Sequence, residues 1–385
     1  MTPRTPADLG PNRLARARAA WPPRFDLTVS NPTNCGIAYP PDLLTPLADP
    51  RGLLYCPDPR GLVASRRAVA RELARHGAAV DPSHVVLTAS TSEAYAFLLK
   101  LLCAPGEAVL VPTPSYPLFE QLARVEAVAA LPYRLEVEAG WRLDPHELAQ
   151  APSHVRAVVV VHPNNPTGSF VHPDDADALE ALCARRGWAL IADEVFLDYP
   201  LDGGTGSGAT FAGRRRALTF TLGGLSKSVG LPQLKLAWIA VSGPRRQVGP
   251  ALERLDYIAD TFLSIATPVQ LALPWLLRRG RKVREAILAR CRGNLRTLRQ
   301  LVRQLPAVDV PEVGAGWSAV LRFPAVVDEE ELALELLKRD GVAVHPGYFF
   351  DFPRDGTLVV SLLPVPASFR AGIDRLVARL AQKLA

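Results

Sequence analysis

The chain has 385 residues, of which 44 are Lys or Arg and 38 are Asp or Glu, for a formal net charge of +6, and 48% are hydrophobic. This is an ordinary globular balance in a chain long enough for a large core and two domains. No apolar run reaches the length of a membrane span, and no apolar stretch follows the N-terminal arginines, so neither a membrane protein nor a signal peptide is expected.

The first residues, up to about Val29, are rich in Pro and Arg and read as an arm with one helical stretch near Arg13 to Ala20. Ser30 to Ile37 is dense in turn formers and reads equally as a connection or as the wall of a site, where Gly36 allows close backbone approach. After Tyr55-Cys56-Pro57-Asp58-Pro59-Arg60-Gly61 a helix is predicted from Leu62 to about His76. Val85 to Thr88 reads as a buried strand leading into Ser90-Thr91-Ser92 and a helix to Leu102. One hydroxyl suffices to cap a helix; three in a row point to an anion such as phosphate at the helix N-terminus.

The pattern then alternates. Strands are predicted at Ala108–Val111, Ala157–Val161 and Ala189–Ala192, with helices at Leu118–Val125 and Asp174–Arg186 between them. Alternation with continuously apolar strands predicts a mostly parallel sheet covered by helices on both faces. Ligands of such sheets sit beyond the carboxyl ends of the strands. Ser90, Thr91, Tyr116, Asn165 and Asp193 all follow predicted strands directly. Two further strands, Ala217–Leu222 and Leu234–Val241, flank Ser226-Lys227-Ser228-Val229-Gly230-Leu231-Pro232. Alone, that window reads as a surface lysine on a polar loop, with a Schiff-base lysine as the other reading.

From Pro250 to Leu305 the chain reads as helical, broken near Ala266-Thr267-Pro268. The arginines between Arg278 and Arg303 recur at helical spacing among Ala, Leu, Ile and Val, the pattern of a solvated helix face rather than a nucleic-acid stripe. Strands at Ser318–Phe323 and Thr357–Leu362, a helix at Glu329–Lys338 and a final helix to Leu384 predict a smaller α+β domain. The expected division is residues 1–45 as the arm and part of the small domain, 46–265 as the large domain and 266–385 as the small C-terminal domain. The five cysteines are scattered, with no Cys-x-x-Cys pair and no metal-ligand spacing with histidine. Reduced thiols, a cytoplasmic location and no metal are therefore expected.

Asn165-Pro166-Thr167-Gly168, then Asp193-Glu194-Val195, then Ser226-Lys227 with Gly230-Leu231-Pro232 resemble, in order and spacing, the class I/II aminotransferases. These are pyridoxal-phosphate enzymes of fold type I, and the resemblance runs from about Asn31 onward. It implies that Lys227 forms a Schiff base with the cofactor and then moves the substrate α-proton, and that Asp193 sits on the pyridinium nitrogen. It implies that Asn165 donates to the phenolic oxygen and that Tyr116 stacks on the ring. Thr91, Ser92, the Ser90 backbone and Ser226 would hold the phosphate, with Lys235 in place of the family's arginine. Tyr55 would reach the phosphate of a partner subunit, which implies a homodimer with shared sites, and Gly36 would close over the substrate.

Four positions depart from the family. Phe196 replaces a tyrosine and should cost one hydrogen bond to the phenolic oxygen; Tyr199 is not at the matching position. Lys235 keeps the charge of an arginine but loses its fork, and Gly224 replaces a serine. Val359 stands where the family places the arginine that clamps the substrate carboxylate; Arg354, with His345, is the basic candidate to bind the substrate in its place. The expectation is an aminotransferase passing an amino group from a small-molecule donor to a carbonyl acceptor, without nucleic-acid or membrane partners. A lyase or decarboxylase on the same fold, or a non-catalytic cofactor-binding relative, is the alternative.

Overall fold

The computed structural model describes residues 4–6, 8–201, 209–263 and 265–384. Its centre is an eight-stranded sheet in the order Val85–Thr88, Ala237–Ser242, Thr219–Gly224, Ala189–Asp193, Val155–Val161, Ala108–Thr113, Ala129–Glu136, Arg142–Leu143. The pairs from Thr219–Gly224 across to Ala129–Glu136 are parallel. Ala237–Ser242 runs antiparallel to both its neighbours, and Arg142–Leu143 is antiparallel to Ala129–Glu136. The sheet is therefore mostly parallel, as the alternation predicted.

Its inner strands are apolar on both sides because both sides are covered. Val159, Ile191 and Phe220 face one cluster with Phe97 and Leu98 of helix Thr91–Leu102 and Leu252 and Leu255 of helix Arg245–Phe262. Val158, Val160, Leu190 and Ala192 face the other side, against Leu179 and Leu182 of helix Pro173–Arg186. Two strands of this sheet were not anticipated. Ala129–Glu136 carries Pro132 and alternates buried Tyr133 and Leu135 with exposed residues in its second half, and Arg142–Leu143 has only two residues, so neither reads as a continuously buried strand.

A second unit carries a three-stranded antiparallel sheet, ordered Ser318–Arg322, Thr357–Ser361, His345–Pro346. The N-terminal arm joins this unit. Helix Arg13–Ala20 is capped by the Asn12 side chain and buries Ala17 against Leu334 and Leu337. Phe25–Asp26 then pairs in parallel with Val342–Ala343. Helix Thr267–Arg279 lies against Val63–Ala74, and helix Arg281–Val302 lies against Pro366–Leu384, so these helices bridge the two units. In Arg281–Val302 the buried face carries Val283, Ile287, Cys291, Leu295 and Leu298 at helical spacing, while most arginines face out. Arg284 is the exception: it is buried and ion-paired with Glu72 and Asp198. Among the described residues no helix is long and apolar enough to cross a membrane.

Three glycines fix how the chain passes the site. Strand Thr219–Gly224 runs two residues beyond its predicted end because Gly223 and Gly224 pair closely with Trp238 and Ala237. A Cβ would stand 2.6 Å from the Trp238 ring nitrogen at Gly223 and 2.9 Å from the Ala237 Cβ at Gly224. The glycine at 224 thus follows from the tight pairing. Gly168 adopts φ 72°, and a Cβ there would lie 2.5 Å from the Ala315 carbonyl oxygen. Gly168→Ala is expected to lower stability by about 2–3 kcal/mol, from left-handed strain plus overpacking. Thermal unfolding of the variant beside the parent protein measures this.

Candidate active site

A cavity of about 400 Å³ lies between the carboxyl ends of the large sheet and the second unit. Each of its walls is placed by the topology. Strand Val85–Thr88 delivers Ser90, Thr91 and Ser92, Ala108–Thr113 delivers Tyr116, Val155–Val161 delivers Asn165, and Asp193 ends its own strand. Ser226 and Lys227 sit on a single helical turn, Leu225–Ser228, between two antiparallel strands, and Lys235 follows two residues before the second begins at Ala237. All nine of these residues, expected at a site from sequence, line the one cavity.

Three others do not. Tyr55 is 76% exposed and borders a separate small pocket with Cys56 and Asp58. Gly36 adopts φ 62° just beyond Ser30, with Val365 the nearest side chain to its missing Cβ. Arg354 lies exposed in the loop that precedes strand Thr357–Ser361. His345 and Val359, by contrast, both line the cavity.

The amine of Lys227 is buried, and burial pulls its pKa from 10.5 to about 8 against the opposing pull of Asp193. It stands 4.8 Å from the ring centre of Trp317 and 5.5 Å from that of Phe196. Desolvation disfavours the charged amine, so a larger share of it is unprotonated near neutral pH than for a lysine in water. Burial likewise pushes the Asp193 carboxyl up from 3.8 to about 6. It accepts hydrogen bonds from the Val195 N–H at 3.2 Å and the Tyr95 hydroxyl at 3.1 Å, both of which favour the ionised form.

The backbone around Lys227 is held from outside the turn. The Tyr199 hydroxyl donates to the Lys227 carbonyl, Arg284 Nε to the Ser228 carbonyl at 2.7 Å, and the Tyr39 hydroxyl to the Gly230 carbonyl at 2.6 Å. Tyr199 therefore acts on the lysine turn from below the cavity, and Phe196 is the ring at the cavity surface, packed edge-on against Trp317.

At the other end, the Ser90 hydroxyl accepts from the Glu93 N–H, and the Glu93 carboxylate accepts from the Ala89 N–H. This is a helix cap that uses the hydroxyl oxygen of Ser90 as an acceptor and leaves its O–H free to donate. Thr91 and Ser92, in the first turn of the same helix, line the cavity beside Ser226 and Lys235. Hydroxyls, a helix N-terminus and a lysine make a binding site for a phosphate-sized anion. Asn165 faces the Ser318 hydroxyl at 3.5 Å.

Several wall residues escaped the sequence reading. Tyr95 lies three residues after Ser92 on one helix face, a spacing that held a usable signal. Trp317, Phe350 and Thr28 come from distant parts of the chain, and nothing local marks them.

A family model described as aminotransferase class I and II matches residues 31–373. A protein named alanine aminotransferase from Mycobacterium tuberculosis is 27% identical over 376 residues, covering 94% of this chain and 86% of its own length. Among solved structures, tyrosine aminotransferase from Leishmania infantum superposes with a TM-score of 0.85 at 20% identity, covering 98% of this chain and 99% of its own. Alanine aminotransferase from Pyrococcus furiosus gives 0.82 at 22%, covering 93% and 92%. At those identities the structural likeness is one of fold.

Proposed function

The chain belongs to the class I and II aminotransferases, and we propose that Lys227 and Asp193 carry out its reaction at the cavity described above. It is an enzyme that uses pyridoxal phosphate. Bound there, the cofactor supplies a carbonyl that takes up the amino group and a ring that draws electrons from the substrate carbon. Two observations support the fit. Asp193 is a buried carboxylate whose raised pKa marks negative charge short of a cationic partner, which a protonated ring nitrogen provides. Thr91, Ser92, Ser226 and Lys235 gather at the opposite end, where a phosphate needs them.

On this reading Lys227 binds the cofactor through its amine and then moves the proton at the substrate carbon that bears nitrogen. Its pKa near 8 leaves much of the amine unprotonated in mildly alkaline solution. Asp193 keeps the ring nitrogen protonated, with Tyr95 and Val195 holding its oxygens in place. Asn165 donates to the phenolic oxygen, and Phe196, lacking a hydroxyl, adds no second donor. Tyr116 covers the ring, and Trp317 and Phe196 keep water from the Lys227 amine.

The protein is read as a cytoplasmic homodimer in which the exposed Tyr55 reaches the partner's phosphate end and Gly36 adjoins the substrate entrance. The large unit is 46–265, and residues 1–45 and 266–385 form the small one. Separate sheets support that division, with helix Thr267–Arg279 leaning back on the large unit.

The single observation that carries this reading is the meeting of a buried amine and a buried carboxylate with Asn165, Tyr116 and an anion cradle in one cavity. The test is the visible spectrum of the protein loaded with pyridoxal phosphate, mixed with a panel of amino acids and amines. The lysine-bound cofactor band should give way to that of pyridoxamine phosphate, and a carbonyl compound should restore it. Release of carbon dioxide or of a leaving group without that cycle would move the chemistry to a decarboxylase or lyase.

A further inference from the structure

The cavity has an unusual charge inventory. The basic side chains that line it are Lys227, Lys235 and His345, and no arginine does so among the described residues. The residues outside the description, 1–3, 7, 202–208, 264 and 385, include no Arg, Lys or His. Lys227 is taken by the reaction and Lys235 by the phosphate end, so His345 is the remaining basic group that this subunit's own wall supplies for the rest of the substrate.

His345 is not placed to act as a cation. It pairs across the strands with Val359, so the two side chains stand side by side on the cavity face. Its ring lies 5.7 Å from that of Phe349 and 5.8 Å from that of Phe350, and the Thr28 backbone bonds to it. Burial lowers its pKa below 6.5, outweighing Asp26, which raises it, while Arg18 adds to the lowering. Arg18 itself is paired with Asp26 and donates to the Thr28 hydroxyl. Neither Arg18 nor Asp26 lines the cavity, and the Arg18 charge is already matched by Asp26. Val359 is rooted in an apolar cluster with Val320 and Phe350. A desolvated carboxylate facing valine, phenylalanine and a neutral imidazole has no compensating charge.

We propose that the donor is an amino compound without a carboxylate on the carbon that bears nitrogen, a primary amine or amino alcohol. This rests on the aminotransferase reading of the same site. The apolar part of the donor packs on Val359 and Phe350, and a neutral polar group such as a hydroxyl meets His345. An amine R–CH2–NH2 leaves as the aldehyde R–CHO. The acceptor R′–CO–R″ becomes R′–CH(NH2)–R″. Nitrogen and two electrons pass to the acceptor, and oxygen returns through water. The acceptor meets the same wall, so an aldehyde or ketone without a neighbouring carboxylate is favoured there too.

The experiment is a single-turnover half-reaction of the cofactor-loaded protein with matched donors: L-phenylalanine, L-phenylalaninol and phenylethylamine, then L-alanine, L-alaninol and ethylamine. The expected result is that the better of the alcohol and amine in at least one set converts the cofactor with kcat/KM at least tenfold above every amino acid tested. Amino acids equal to or faster than both their neutral twins would overturn the proposal and leave the aminotransferase reading standing. No conversion by any donor would sink both. His345→Ala is the second probe. The KM for the preferred amino alcohol should rise about tenfold, with kcat within a factor of three and the spectrum of bound cofactor unchanged. An unchanged KM removes His345 from the substrate contact.

Discussion

Lys227→Ala is expected to lower turnover by about four orders of magnitude or more, the combined loss of a covalent anchor and a proton carrier. The other lysine of the cavity wall among the described residues, Lys235, follows the turn and is exposed. The same substitution should leave the cofactor-free fold at least as stable near neutral pH. The sign follows from the amine's pKa, 10.5 in the unfolded chain and about 8 in the folded one. Below about pH 8 both states hold the proton and folding bears the whole cost of burying it. Between about 8 and 10.5 the unfolded chain binds more protons, so the native protein gains stability as pH rises. The stability advantage of the alanine variant should shrink across that window. Denaturant melts of both proteins at pH 7, 9 and 10.5, beside turnover with the preferred donor, read both effects. A variant that kept a tenth of the parent activity would remove Lys227 from the chemistry.

Asp193→Asn should cost about 100- to 1000-fold in kcat, the scale of losing a buried charge aimed at the reacting system. The amide keeps an oxygen to accept from the Val195 N–H or the Tyr95 hydroxyl, so the loss isolates charge from shape. Stability should move the other way from activity. The carboxyl titrates at 3.8 unfolded and about 6 folded, so its burial costs nothing below pH 3.8 and grows in cost up to about pH 6. At pH 8 the cofactor-free asparagine variant should therefore unfold at the same temperature as the parent or higher. A large stability loss with activity retained would make Asp193 a structural residue instead.

The sequence made the cradle legible and left the lid obscure, for one physical reason. Residues that follow a strand inherit their position from the sheet, so the sequence alone places Ser90, Tyr116, Asn165 and Asp193 together. The opposite wall is built from Trp317, His345, Phe350 and Val359, brought together by pairing and packing in the second unit, and from Thr28, which joins them through the docked arm. Periodicity cannot report such meetings. His345 and Val359 were singled out because a charge was expected there, yet their cross-strand pairing was not readable. Arg284 shows the same limit. The repeat of apolar residues along its helix marked the buried face correctly, and an arginine on that face was the visible anomaly. Its partners, Glu72 and Asp198, come from distant elements.

The pairing of Phe25–Asp26 with Val342–Ala343 also sets an order in time. Thr28, Val29 and Ser30 line the cavity through an arm whose partner is made more than 300 residues later, as the numbering shows. All eight strands of the large sheet have been synthesised by Ser242. A nascent chain can thus complete its cofactor cradle while its own beginning still waits for the segment that closes the substrate wall. A message truncated before codon 342 would encode the cradle without that closure.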